Sequence, residues 1–250
     1  MRRTGSIGIR WLALTLICLA LPFGLANAKP VDVALVLAVD VSESIDSEEA
    51  KLQRQGYINA IANSGVIHAI TKGKHGRIAV AYFEWADAAN HSLIVDWTTI
   101  QDEASARAFG ARLQQAKILE GHFTSISSAI NYALGLLERL PFETERRVID
   151  VSGDGRNNHG PPLETARAAA IEKGITINGL PIVNSRDQQY TGLPPDHIER
   201  YYRRHVIAGT NAFIVVAKNF NDFERAISRK LMREIVSTEP DRKVAATPER

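Results

Sequence analysis

The chain has 250 residues, 45% hydrophobic and 23% charged, with 30 Lys plus Arg against 28 Asp plus Glu. Near-balanced charge, without a basic stripe interleaved with aromatics, gives no reason to expect nucleic acid as a partner. The single cysteine, Cys18, leaves no room for an intramolecular disulfide framework.

In chain order, Arg2, Arg3 and Arg10 precede an apolar run from Trp11 to Leu21, and Ala26-Asn27-Ala28 has the A-x-A form of a cleavage site. Residues 1–28 therefore read as a secretory signal peptide cleaved after Ala28, and the product is expected in the periplasm or outside the cell. The run is about half the ~20 apolar residues that a spanning helix needs, so no membrane span is expected in the mature chain. A lipoprotein is excluded because Ile17 stands before Cys18 where a small residue is required. Cleavage also removes the cysteine and three arginines, leaving 27 basic against 28 acidic residues. Stability must then come from the core and any bound metal.

Residues 29–236 read as one α/β domain in which apolar runs alternate with helical patterns, the signature of a mostly parallel sheet. Val33 to Val39 is continuously apolar, as expected of a strand buried on both faces. Ser47, followed by Glu48 and Glu49, is the expected N-cap of a first helix. Arg77 to Phe83 and His91 to Asp96 follow as strands. The short link between them allows no crossover, which makes the third strand an antiparallel edge and puts Trp85 in an exposed loop.

Gln101 to Leu119 has a weak helical stripe, and Ile126, Ala129, Ile130, Ala133, Leu134 and Leu137 form a stronger one ended by Pro141. Arg147 to Ser152 is a fourth strand. Pro161 and Pro162 open a helix closed by Gly174, and Ile175 to Pro181 is a fifth strand. After a polar loop from Asn184 to Pro195 come a short helix from Asp196 to His205, a sixth strand from Ala212 to Ala217 and a last helix from Phe220 to Val236. Residues 237–250, STEPDRKVAATPER, have little to bury and read as a disordered tail.

Ligands of open α/β sheets gather at the carboxyl ends of the strands. Asp40, Ser42 and Ser44 follow the first strand and Asp154 the fourth, while Thr124 lies in the loop before the helix leading into the fourth. All five belong on one edge, and their hard oxygens suit a hard cation. DxSxS could equally be a turn that caps the first helix, and Asp40 could be the nucleophile of a metal-dependent phosphatase. Phosphatases of the haloacid-dehalogenase type carry a second acid two residues on, where this chain has Ser42. Asp150 reads as a strand residue with a local partner, His122 and His159 as solvated loop residues, and Asn157 and Asn158 as turn residues.

Asp40-x-Ser42-x-Ser44, Thr124 after Gly121-His122-Phe123, and Asp154 in SGDG together resemble the metal-ion-dependent adhesion site (MIDAS) of von Willebrand factor type A domains. The resemblance covers Val31 to Val236, and the chain is similar to a family of uncharacterised exported bacterial proteins with such a domain. It implies a Rossmann-like, doubly wound, six-stranded and mostly parallel sheet with helices on both faces. It also implies a non-enzymatic protein-binding module. Ser42 and Ser44 would bind the ion directly, Thr124 directly or through water, and Asp40 and Asp154 mainly through water. The ion would be magnesium, with manganese or calcium as alternatives, completed by a partner's Asp or Glu carboxylate. Two departures from the family pattern stand out. SGDG replaces an apolar residue followed by DG, and Phe123 fills a place often held by glycine.

Overall fold

The computed structural model describes residues 29–119, 121–184 and 192–236. The expected signal peptide, the C-terminal tail and residues 185–191 of the polar loop lie outside the described residues. Five strands, β1 (Ala34–Asp40), β2 (Ile78–Trp85), β3 (His91–Ile100), β4 (Arg147–Gly153) and β5 (Thr176–Pro181), form one sheet in the order β3-β2-β1-β4-β5. β1 pairs in parallel with β2 and β4, β4 with β5 likewise, and β2 with β3 antiparallel. As expected, the link from Ala86 to Asn90 is too short for anything but a hairpin.

Every residue of β1 is buried, and its side chains alternate between two cores. Leu35, Leu37 and Val39 face α1 (Ser47–Ile61), α2 (Ser64–Thr71), α3 (Glu103–Gln115) and a C-terminal helix, Phe223–Val236. Ala34, Val36 and Ala38 face α4 (Ile126–Glu138) and α5 (Leu163–Glu172). Beside these lies α6 (His197–Tyr201), which continues as a π-helix, Tyr202–Val206. We number the C-terminal helix α7. Period-two alternation along one strand thus builds both layers.

Local chemistry sets the helix ends. Asp46, rather than Ser47, caps α1: its Oδ1 accepts from the Glu48 and Glu49 amides, and the Glu49 side chain accepts from the Asp46 amide, a capping box. The chain turns at Ala62, and Asn63 accepts from the Gly65 amide to start α2, a helix not expected from the sequence.

Two expectations need correction. Trp85 is fully buried at the end of β2, paired with Asp40, rather than exposed in a loop. The sixth strand is not part of the ladder either. Residues 212–217 run parallel to β5, joined to it only at isolated bridges, Gly179 with Ile214 and Ile182 with Ala217. The reason is visible in the bonds: Gly179 N–H donates to Phe213, Val215 and Ala217 donate back to Gly179 and Pro181, and Val183 donates to Ala217. The position between is Pro181, which has no N–H to give, so the ladder is broken there.

Away from the carboxyl end of β1, two groups of buried charges among the described residues are ion-paired. Arg54 of α1 pairs with Glu84 of β2 at 2.6 Å. Lys230 of α7 lies 2.6 Å from Asp150 of β4 and 2.5 Å from Glu234, so the partner of Asp150 comes from the C-terminal helix and is not the local one expected.

Candidate functional site

β1 has a parallel neighbour on each side, β2 and β4, so the strand order reverses there and a crevice opens at its carboxyl end. Five side chains converge in it. The Ser42 amide donates to Asp40 Oδ1 at 2.9 Å, folding the chain after β1 back on itself. Thr124 Oγ1 donates to Ser42 Oγ at 3.1 Å, Ser42 Oγ lies 3.4 Å from Ser44 Oγ, and Ser44 Oγ donates to Asp154 Oδ1 at 2.6 Å. The three hydroxyls and two carboxylates expected from the sequence therefore share one site. They come from three segments, since Ser44 and Asp154 are 110 residues apart.

The supporting contacts were only partly legible. Asn158 Oδ1 accepts from the Thr124 amide and the Thr124 carbonyl accepts from the Asn158 amide, at 2.8 and 2.9 Å. Asn157 Oδ1 accepts from the Ser127 amide at the start of α4. These two asparagines, read from sequence as turn residues, tie the β4 loop to the Thr124 loop. Asn184 Nδ2 donates to Asp154 Oδ2 at 2.8 Å and to the Ser44 carbonyl at 3.2 Å. On the other side the Asp87 carboxylate accepts from the His122 and Phe123 amides, which lowers its pKa despite some desolvation. His159 is not merely solvated: its Nδ1 accepts from the Ala88 amide, and its ring lies 4.9 Å from that of Phe123. Phe123 is 51% exposed at the rim. His122 lies 3.5 Å from Glu43 on the surface.

The electrostatics single out Asp40. It is fully buried, and Oδ2 has no hydrogen-bond donor among the described residues. Burial, and then the charge of Asp154, push its carboxyl well above the usual carboxylate range, against the opposing bonds from Ser42. A nearby cation would reverse that pressure. Among the described residues no group of three or more His, Cys, Asp or Glu is arranged to hold a metal ion. The donor set is thus two carboxylates and three hydroxyls, all hard oxygen, a set that fits magnesium, manganese or calcium better than a soft-ligand metal.

Residues 30–239 match the family described as Protein of unknown function (DUF1194). The chain belongs to this family. No curated protein matches the DUF1194 chain. Its fold is that of von Willebrand factor type A domains. A von Willebrand factor type A structure from Catenulispora acidiphila superposes with a TM-score of 0.57 at 13% identity, covering 82% of this chain and 43% of that one. The pilus adhesin SpaC of Lactobacillus rhamnosus GG gives 0.60 at 14%, covering 83% and 31%. Proximal thread matrix protein 1 of the mussel byssus gives 0.57 at 11%, covering 84% and 47%. The DUF1194 chain therefore spans less than half of each of these larger structures, and at such identities the likeness concerns fold alone.

Proposed function

We propose that Asp40, Ser42, Ser44, Thr124 and Asp154 hold a divalent cation, magnesium first, and that this domain binds a protein partner through a carboxylate of that partner. The observation that carries the reading is the continuous run of hydroxyl and carboxylate contacts from Thr124 to Asp154 beside a buried Asp40 oxygen with no donor among the described residues. Ser42, Ser44 and Thr124 would offer neutral oxygens, while Asp40 and Asp154 orient hydroxyls and waters. With few direct negative ligands, a bound cation stays electrophilic and attracts an incoming carboxylate. Support from known structures is coarser. The mussel byssus protein has been solved with a zinc-occupied MIDAS motif, and SpaC is a pilus adhesin. The leader-like residues 1–28 add an exported location to the proposal.

The phosphatase reading is disfavoured by access. Asp40 is enclosed with one oxygen held by the Ser42 amide, a poor position for attack on an external phosphate ester. Metal-dependent phosphatase activity on a generic aryl phosphate, lost in Asp40→Asn, would restore it.

A cation that binds only the folded chain stabilises it by mass action, about 2.7 kcal/mol at a hundredfold excess over Kd. The thermal midpoint in millimolar magnesium should exceed that in chelator. Thr124→Ala and Asp154→Ala should remove most of the difference. Equal midpoints for the unmodified chain would end the metal reading.

A further inference from the structure

Along α6 and the π-helix, and reached from the proposed metal site through the loop after β4, lies a cavity of about 280 Å³ lined by Arg156, His197, Arg200, Tyr201, Arg204 and His205. That is roughly nine times the volume a water molecule occupies, enough for a carboxylate side chain. The three arginines are not equivalent. Arg200 lies 3.3 Å from Asp196, and Arg203, on the same helix but outside the cavity lining, is held by Glu199 at 2.9 Å. Arg156 and Arg204 are exposed, and among the described residues neither has a carboxylate within ion-pair distance. The Arg156 guanidinium sits 5.6 Å from the centre of the Tyr201 ring. A cation–π contact at that distance draws the guanidinium towards the cavity and leaves its N–H donors for a planar anion.

The cavity is also joined to the metal site through short covalent and hydrogen-bonded links. Arg156 is two residues beyond Asp154, and the next residue, Asn157, donates its amide to Tyr201 Oη at 3.2 Å while its side chain holds the start of α4. One loop, 154–158, thus carries a proposed metal-site residue, a cavity arginine, the asparagine that positions Thr124 and the one that holds the start of α4.

We infer that this arginine-lined cavity is a second carboxylate site, so that the partner is an acidic protein segment with one Asp or Glu at the metal site and another between Arg156 and Arg204. The inference rests on the proposed function for the first carboxylate and on the cavity alone for the second. Guanidinium–carboxylate bonds are charge-assisted and often bidentate. Losing both arginines should therefore weaken an acidic partner at least about tenfold.

The test uses the full domain and two labelled peptides with blocked ends, hexaglutamate and a neutral peptide with a single glutamate, in magnesium and in chelator. Hexaglutamate in magnesium should bind the unmodified chain at least about tenfold tighter than Arg156→Gln/Arg204→Gln, with the single-glutamate peptide indifferent to the change. Arg203→Gln, which removes the same kind of charge from the same helix outside the cavity, should leave hexaglutamate affinity within about twofold. Equal affinity of hexaglutamate for the double variant overturns the inference, and so does an equal loss in Arg203→Gln, which would reduce the effect to net charge. A polyphosphate or oligonucleotide that binds the cavity arginines more tightly than hexaglutamate overturns the protein partner. Arginine-dependent binding that survives chelation keeps the cavity and removes the metal reading, whereas magnesium-dependent binding of the single-glutamate peptide with no gain for hexaglutamate does the reverse.

Discussion

Gly153 shows how one residue shapes the site. A methyl group on its Cα would lie 2.6 Å from Asp40 Oδ2 and 2.9 Å from Tyr202 Oη, both fully buried and without a partner among the described residues. The glycine of SGDG, a departure from the usual apolar residue at the end of the fourth strand, is what lets a tyrosine hydroxyl approach this carboxylate. Gly153→Ala should therefore cost about 1–3 kcal/mol in a urea unfolding curve through overpacking and weaken magnesium-linked stabilisation. Tyr202→Phe removes only a hydroxyl that lacks a partner, and should leave the urea midpoint unchanged or slightly raised.

Asp150 makes a different prediction at the same scale. Burial raises its carboxyl to about 7; Lys230 opposes the shift and Glu234 reinforces it. The folded chain thus keeps this proton at pH values where the unfolded chain, near the ordinary value of about 3.9, has released it. Stability from this group is full below about pH 4 and is lost as pH rises towards about 7. In urea titrations without metal, the unmodified chain should lose stability relative to Asp150→Asn across that window and no further above it. A difference between the two chains that is constant with pH would contradict the assignment.

At the scale of elements, the Arg54–Glu84 pair joins α1, β2 and the segment leading to the Thr124 loop. Arg54 bonds Glu84 through Nε and Nη2 and also donates to the carbonyls of Ala116 and Lys117, while Glu84 Oε2 accepts from the Leu119 amide. Removing one partner strands a buried charge, so Arg54→Met should cost about 3–5 kcal/mol. The double change Arg54→Met/Glu84→Leu should recover much of that loss in the same denaturant measurement. Equal losses in the single and double variants would mean that packing rather than charge sets the cost.

What the sequence made legible divides along similar lines. β1, the hairpin and α4 were readable because unbroken apolar runs, a link too short for a crossover and a strong three-four periodicity are local signals. The five hydroxyl and carboxylate positions followed from the edge on which parallel strands end. Trp85 misled because an aromatic next to Ala86-Asp87 looks like loop, whereas parallel pairing with Asp40 extends β2 by two residues. Arg54, Asn157, Asn158 and Tyr202 carry no local signal at all; each matters only through partners 30 or more residues away. The sixth strand had the right composition and the right place, but its ladder depended on an amide that Pro181 lacks.

On the scale of the whole molecule, the candidate site and the arginine cavity share one end of the sheet and draw on both halves of it. Leu35, Leu37 and Val39 belong to one core and Ala34, Val36 and Ala38 to the other, so β1 is wedged between two layers with its carboxyl end opening onto the candidate site. Chelation should therefore leave the circular dichroism spectrum of the fold intact while faster amide exchange is confined to residues 40–46, 121–125 and 153–158. Global loss of protection would instead make the metal part of the core.

The parallel pairing of β1 with two neighbours has a mechanical consequence. Its ladders run from Ala34 to Asp40 against β2 and from Ala34 to Val39 against β4. A partner held at Ser42, Ser44 and Asp154 and pulled away from that edge would load β1 and β4 along their length. Force would then be resisted in shear by the ladders that join β1 to β2 and β4 to β5, instead of one bond at a time, as in unzipping a hairpin from its open end. β2 takes up part of that load and passes it into the hairpin with β3, and the strand that anchors the site is hydrogen-bonded along both of its edges.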